Sequence, residues 1–140
     1  MSQGVTPGKA FGATDPRIDQ IAQAIKEPIL QAVVTAGDEA ANVRRFTIQV
    51  TNRQRFNRPG RYVVQIWVWD AAYSGSPGAQ TLSVATGTLL ATLAANETVQ
   101  VITDTSGKAE VDVTIVGAAT RYAHAVVLGQ IHTSEAVAWV

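Results

Sequence analysis

Alternation of apolar and polar residues predicts a mainly β chain folded as an antiparallel β-sandwich. Three observations carry this. Val111, Val113 and Ile115 alternate with Glu110, Asp112 and Thr114, which is the period-2 signature of a strand with one buried face. Turn residues bracket that strand: Thr103-Asp104 with Ser106-Gly107 before it and Gly117 after it. Glycine reaches positive φ without a Cβ clash, so such clusters reverse the chain. Tyr122 to Leu128 then starts a further run, Gly129 breaks it, and Ile131 to Val140 forms another. Short strands separated by turns at this spacing are how a sandwich is built.

The N-terminal region reads differently. Residues 1 to 14 are rich in Gly, Thr, Pro and Ser with almost nothing to bury, and predict an extended arm. Asp15-Pro16 marks a helix start, with an acidic N-cap and proline at the first helical position. Ile18, Ile21, Ala22, Ile25 and Ile29 keep helical spacing, while Asp19, Gln20, Gln23, Lys26 and Glu27 take the other face. Pro28 kinks or ends this helix. Ile29 to Thr35 is expected to continue it for a turn or two, until Ala36-Gly37-Asp38 stops it. The expected organisation is an arm and short α-helix over 1–42 and a sandwich over 43–140.

From Val43 the period changes to two. Phe46, Ile48 and Val50 alternate with Thr47, Gln49 and Thr51, giving a first strand. Asn52 to Gly60 is a loop. Arg61 to Asp70 is the longest strand, with Tyr62, Val64, Ile66 and Val68 on one face and Val63, Gln65, Trp67 and Trp69 on the other. Tyr73 to Gln80 is a Ser/Gly/Pro loop. Short strands follow at Thr81 to Val84 and Leu89 to Leu93, and Asn96-Glu97 turns the chain into Thr98 to Thr103. About seven strands are expected.

Composition narrows the function classes. There are no cysteines, which excludes disulfides, thiolate zinc ribbons and thiol nucleophiles. Charged residues make up 16 % and the formal net charge is zero. No apolar segment is long enough to span a membrane as a helix, and the start lacks the basic and apolar regions of a signal peptide. The zero net charge hides a segregation. Arg44, Arg45, Arg53, Arg55, Arg58 and Arg61 fall in a stretch without Asp or Glu, whereas Asp70, Glu97, Asp104, Glu110, Asp112 and Glu135 lie beyond it. Either the arginines fold back on their own acidic strands, or Arg53, Arg55 and Arg58 dock a basic loop on an acidic partner. One loop without a recognition element does not suit nucleic acid.

Trp67 and Trp69 share a strand face, and two placements are open. If Val64, Ile66 and Val68 fill the core, both indoles face outward and need a cover, from the N-terminal helix or another subunit. The preferred alternative puts the tryptophans in the core. His124 and His132 lie on separate strands without a carboxylate at ligand spacing, so structural or surface roles are expected and no metal. Asp104, Glu110 and Asp112 read as solvated charges rather than a calcium site. His132, Ser134 and Glu135 lack a nucleophile elbow, and no phosphate-binding glycine loop occurs.

The chain from Thr103 resembles the closing strands of bacterial immunoglobulin-like domains, modules of invasin-type adhesins and of many tailed-phage structural proteins. There a Thr-Asp-x-x-Gly-x-Ala turn leads into alternating valines and a last strand ending in an aromatic residue. Thr103, Asp104, Gly107, Ala109, Val111, Val113 and Trp139 match it, and the likeness extends over about Arg45 to Val140. It implies an immunoglobulin-like β-sandwich with a job in display or adhesion, and no chemistry. Joined to the missing export signal, it implies a non-enzymatic virion protein of a tailed phage, made in the host cytoplasm. The concrete form is a capsid decoration or head-associated protein anchored by its arm and helix. The expected interface residues are Ile18, Ile21, Ile25, Ile29, Arg53, Arg55, Arg58, Trp67 and Trp69. The expected partners are other virion proteins of capsid or tail and further copies of the chain, with no nucleic acid, membrane, cofactor or metal. The alternative is a tail or baseplate accessory protein with a carbohydrate-binding sandwich, in which Trp67, Trp69, Tyr62 or Tyr73 form a stacking platform.

Overall fold

The computed structural model describes residues 30–140. Ten strands form among them: β1 Gln31–Ala36, β2 Val43–Thr51, β3 Val63–Trp69, β4 Thr81–Thr86, β5 Thr88–Ala94, β6 Thr98–Ile102, β7 Lys108–Thr114, β8 Ala119–Val127, β9 Gln130–Thr133 and β10 Val137–Trp139. They make two antiparallel sheets. The four-stranded sheet runs β1-β2-β7-β4; the six-stranded one runs β9-β8-β3-β6-β5, with β10 also pairing β8. The chain is mainly β, and its two sheets face each other as a sandwich.

Alternation decides what lies between the sheets. Phe46, Ile48 and Val50 of β2 are fully buried, as are Ala109, Val111 and Val113 of β7. In register, Phe46 stands beside Val111 and Ile48 beside Ala109. From the other sheet come Val64, Ile66 and Val68, Val99 and Val101, and Ala123, Ala125 and Val127. Trp139 closes this core. Its ring lies 6.2 Å from Phe46 at a 45° tilt, and its Nε1–H donates to the Asn42 carbonyl at 3.0 Å. Burying one such side chain contributes about 1.5–3 kcal/mol.

The expected turn before β7 is present and has a mechanism. Asp104 Oδ1 accepts from the Ser106 and Lys108 N–H groups and from the Ser106 hydroxyl. The Gly107 N–H donates to the Asp104 carbonyl at 3.0 Å, at a φ of 80° that suits glycine. The Ser106 hydroxyl, ahead of the two backbone donors, holds the Asp104 carboxyl below its ordinary pKa.

Ten strands form among the described residues where about seven were expected, and β3, expected to be the longest, has 7 residues against 9 in β2 and in β8. Two further expectations are corrected. Gln31 to Thr35 is not a continuation of a helix: residues 31 to 36 pair one for one with Thr51 to Phe46. Val33, Val34 and Thr35 are β-branched and suit a pleated edge, while Leu30 and Ala32 reach the core. Paired strand therefore begins at Gln31, upstream of the expected start at Val43. The second correction concerns Ile131 to Val140, which is two strands. At the break, the Ser134 N–H donates to the Ala123 carbonyl and the Ser134 hydroxyl accepts from the Ala123 N–H. A side-chain oxygen thus replaces a backbone carbonyl in the ladder. The expected arm, the helix from Asp15 and its stripe Ile18, Ile21, Ile25 and Ile29 lie outside the described residues.

Candidate functional site

With Val64, Ile66 and Val68 turned inward, pleating sends Trp67 and Trp69 to the outer face of the larger sheet. This overturns the preference for a tryptophan core. The reason lies in the neighbours. The inward positions of β8 are Ala123, Ala125 and Val127, and those of β6 are Val99 and Val101; this narrow interior suits Val and Ile. Across the outer face Trp67 is in register with His124 and Trp69 with Tyr122.

Trp67 is nonetheless only 9 % exposed, because an aromatic cluster covers it. The His124 imidazole stacks on its indole, with ring centres 5.0 Å apart and planes 3° from parallel. Trp69 stands edge-on to both, at 5.8 Å and 5.5 Å, and Tyr73 stands edge-on to His124 at 5.8 Å. Such geometries contribute about 0.5–1.5 kcal/mol per pair beyond burial.

Hydrogen bonds fix the cluster. The Tyr73 backbone N–H donates to His124 Nε2 at 3.0 Å, so the ring is neutral with its proton on Nδ1. Burial holds the His124 pKa below its ordinary value. Neither His124 Nδ1 nor Trp67 Nε1 has a partner among the described residues. The Trp69 Nε1–H donates to Glu97 Oε1 at 2.8 Å. Tyr73 sits at a φ of 66°, a conformation that disfavours a bulky side chain. The surrounding loop enforces it: Asp70 Oδ1 accepts the Ser76 N–H at 2.9 Å, and the Asp70 N–H donates to the Ser76 carbonyl. Tyr73 is left 63 % exposed above a rigid aromatic base.

Tyr62 does not join this platform. It is half-buried against the core, and its hydroxyl donates to the Pro59 carbonyl. The sequence reading missed His124 as the centre of the cluster. The period of β8 puts residue 124 on one face, but nothing in a single chain states that β8 lies next to β3 in this register.

The arginines separate into two groups. Arg45 pairs with Asp112 through two hydrogen bonds of 2.7 Å and 2.9 Å. The Arg44 guanidinium lies 5.9 Å from the Trp139 ring centre and donates to the Ala138 and Gly37 carbonyls. Glu110 is satisfied within its own sheet, accepting from the Thr86 hydroxyl at 2.6 Å and from Thr47 at 2.9 Å, and these bonds, Thr86 first, lower its pKa. Arg53 and Arg55 are exposed and Arg58 is half-buried. Among the described residues Arg45–Asp112 is the one ion pair. The loop that carries Arg53, Arg55 and Arg58 has a defined shape. Asn52 Oδ1 accepts the Gln54 and Phe56 N–H groups, and the Arg58 N–H donates to the Val50 carbonyl. Arg55 also acts on His132 of β9, whose pKa is lowered first by burial and then by that positive charge. None of these three arginines joins the aromatic cluster.

Among the described residues no group of His, Asp and Glu is placed to hold a metal ion. No helix among them is long and apolar enough to cross a membrane.

No family model matches the chain, and no curated protein sequence matches it. Among solved structures, the GAE domain of yeast GGA1 is similar at 14 % identity and a TM-score of 0.31, over 81 % of this chain and 91 % of that one. A GH20 exo-β-N-acetylglucosaminidase from Vibrio harveyi, solved with N-acetylglucosamine, is similar at 13 % identity and a TM-score of 0.31. That match covers 75 % of this chain and 17 % of the enzyme, so the chain spans under a fifth of the enzyme's length. Neither likeness bears on activity or partners.

Proposed function

We propose that the protein is a non-enzymatic structural component of a tailed-phage virion, a capsid decoration or head-associated protein. In this reading its immunoglobulin-like sandwich docks on an acidic surface of a neighbouring virion protein. The observation that carries the reading is the 52–60 loop. Arg53, Arg55 and Arg58 are held on an ordered backbone without an ion-pair partner among the described residues, while Asp112 and Glu110 are engaged within their own sheet. Internal pairing among the described residues thus accounts for Arg45 and not for these three, which supports a reading in which they meet another surface. Charges placed this way steer encounter and fix orientation. The N-terminal stripe Ile18, Ile21, Ile25 and Ile29 supplies a second anchor, and many copies on one shell gain avidity. The chain is made in the host cytoplasm and joins the particle there. A mass-spectrometric census of purified particles tests the reading: the chain is expected in stoichiometric amount, and its absence from washed particles would overturn it.

The exposed Tyr73 ring favours one other reading, an adhesive sandwich of a tail or baseplate that stacks a sugar on Tyr73 and Trp69. A glycan array separates the two. Binding that Tyr73→Ala abolishes would establish the adhesive role; a silent array would leave decoration alone.

A further inference from the structure

β4 and β5 are the outermost strands of their two sheets on the same side of the sandwich, and Gly87 alone lies between them in the chain. The outer edge of β5 pairs with no described strand, so among the described residues its outward backbone N–H and C=O groups have no ladder partner, and such an edge can pair with another chain. Leu89, Leu90 and Leu93 are 48 %, 47 % and 54 % exposed there. Two irregularities in the β5–β6 register, between Leu89 and Ala91 and between Thr92 and Ala94, each leave one leucine, Leu90 or Leu93, outside the ladder. Bulges re-aim side chains in this way. Beside the leucines a cleft of about 470 Å³ opens between the sheets, lined by Leu82, Val84, Leu89 and Val99 among others.

We propose that this side is an interface between two copies of this chain, in which β5 of one copy pairs antiparallel with β5 of the other across a two-fold axis. The charge pattern selects that occupant. No Asp, Glu, Lys, Arg or His occurs from Ala71 to Asn96, so the surface gives an acidic or basic partner nothing to hold. It also gives a second copy nothing to repel. Natural edges are commonly guarded by lysine or proline, and β5 contains neither. A two-fold interface needs a patch that complements itself. A strand of Thr, Leu and Ala does so: with the axis at Leu90, Thr88 faces Thr92, Leu90 faces itself and Leu89 faces Ala91, so every pair is uncharged and compatible. The chain's formal net charge of zero removes long-range repulsion between copies. The inference is drawn from this edge alone and stands apart from the virion reading and its arginine loop.

The test is sedimentation velocity on the full chain over a concentration series, at low and high salt. Wild type is expected to go from monomer to dimer with rising concentration. High salt should leave that dimer intact, since no charge pair crosses the interface. Leu90→Lys with Leu93→Lys should remain monomeric with an unchanged circular dichroism spectrum, and Val116→Lys, at another exposed apolar position, should dimerise like wild type. Because the chain has no cysteine, Leu90→Cys, Ala91→Cys, Thr92→Cys and Leu93→Cys, made singly, report the pairing directly. Mild oxidation should link two copies in at least one of them. A wild type that stays monomeric at its solubility limit overturns the proposal, as does a dimer that survives the double lysine variant. A dimer dispersed by salt would assign association to the arginines instead and overturn it equally.

Discussion

The Trp67 indole and the His124 imidazole lie flat on one another on the solvent side of the larger sheet, their centres 5.0 Å apart. The histidine is held there neutral, because its Nε2 accepts the Tyr73 N–H. A proton added at Nε2 would meet that N–H head-on and carry charge into a dry cluster.

Acid should therefore loosen the Tyr73 loop before it unfolds the core. The ordinary histidine pKa is 6.5 and burial lowers it for His124 in the fold. The unfolded chain then takes up protons near that value while the folded chain does not. Stability is complete above about pH 6.5 and falls as pH drops toward the folded pKa. His132 is shifted the same way. Urea denaturation between about pH 7 and pH 5 should show this slope, and His124→Phe should make it shallower. Equal slopes in the two proteins would remove His124 from the account.

Two glycines give a matched pair. Gly87 and Gly117 have φ of 96° and 94°, so alanine strains both backbones alike, at about 1–3 kcal/mol. A Cβ at Gly87 would also lie 2.6 Å from the Ile102 carbonyl oxygen and 2.9 Å from Val101, whereas at Gly117 nothing lies within 4 Å. Chemical denaturation should show Gly87→Ala losing clearly more than Gly117→Ala. Equal losses would mean that the turn at Gly87 can move away from Val101 and Ile102 of β6 at no cost.

Two buried threonines should respond oppositely to valine. Thr103 Oγ1 accepts the Tyr62 N–H at 2.9 Å and donates to the Gly60 carbonyl at 3.0 Å. Removing it strands a buried donor and should cost about 1–3 kcal/mol. Thr51 Oγ1 is buried without a partner among the described residues, so Thr51→Val should be neutral or stabilising. Thermal melts decide this, and a destabilised Thr51→Val would reveal a partner for that hydroxyl.

Replacing Arg53, Arg55 and Arg58 together by Ser should change the melt by under about 0.5 kcal/mol, as surface substitutions do. Attachment to the particle should weaken, most of all at low salt, where the native attraction is greatest. A large fall in melting temperature with normal attachment would show that these arginines serve the fold.

Much of the sandwich was legible from residue spacing alone. Val111 and Val113 face the core and Glu110 and Asp112 do not, as alternation required, and the Asp104–Gly107 turn followed from its residue types. β1 was misread because Ile29 to Thr35 is a short apolar run that suits a helix or a strand, and its pairing with β2 settles the matter from a distance. For β3 the two faces could be separated but were ranked the wrong way round, since both carry large apolar residues. Only the small residues of β8 and β6 show which one fits inside. The aromatic cluster and the two-sided arginine pattern depend on strand order, and strand order is not a local property. Arg45 and Arg53 look alike in sequence, yet one stands opposite Asp112 and the other on a loop.

The crossing at Gly87 has a mechanical consequence. β4 belongs to one sheet and β5 to the other, yet they are a single run of backbone. At that side the sheets are joined by covalent bonds, whereas on the opposite side β1 and β9 meet through contacts alone. A load that pries the layers apart would open them as a book opens, with Gly87 in the spine and the β1–β9 margin parting first. Toughness under such a load rests on that margin.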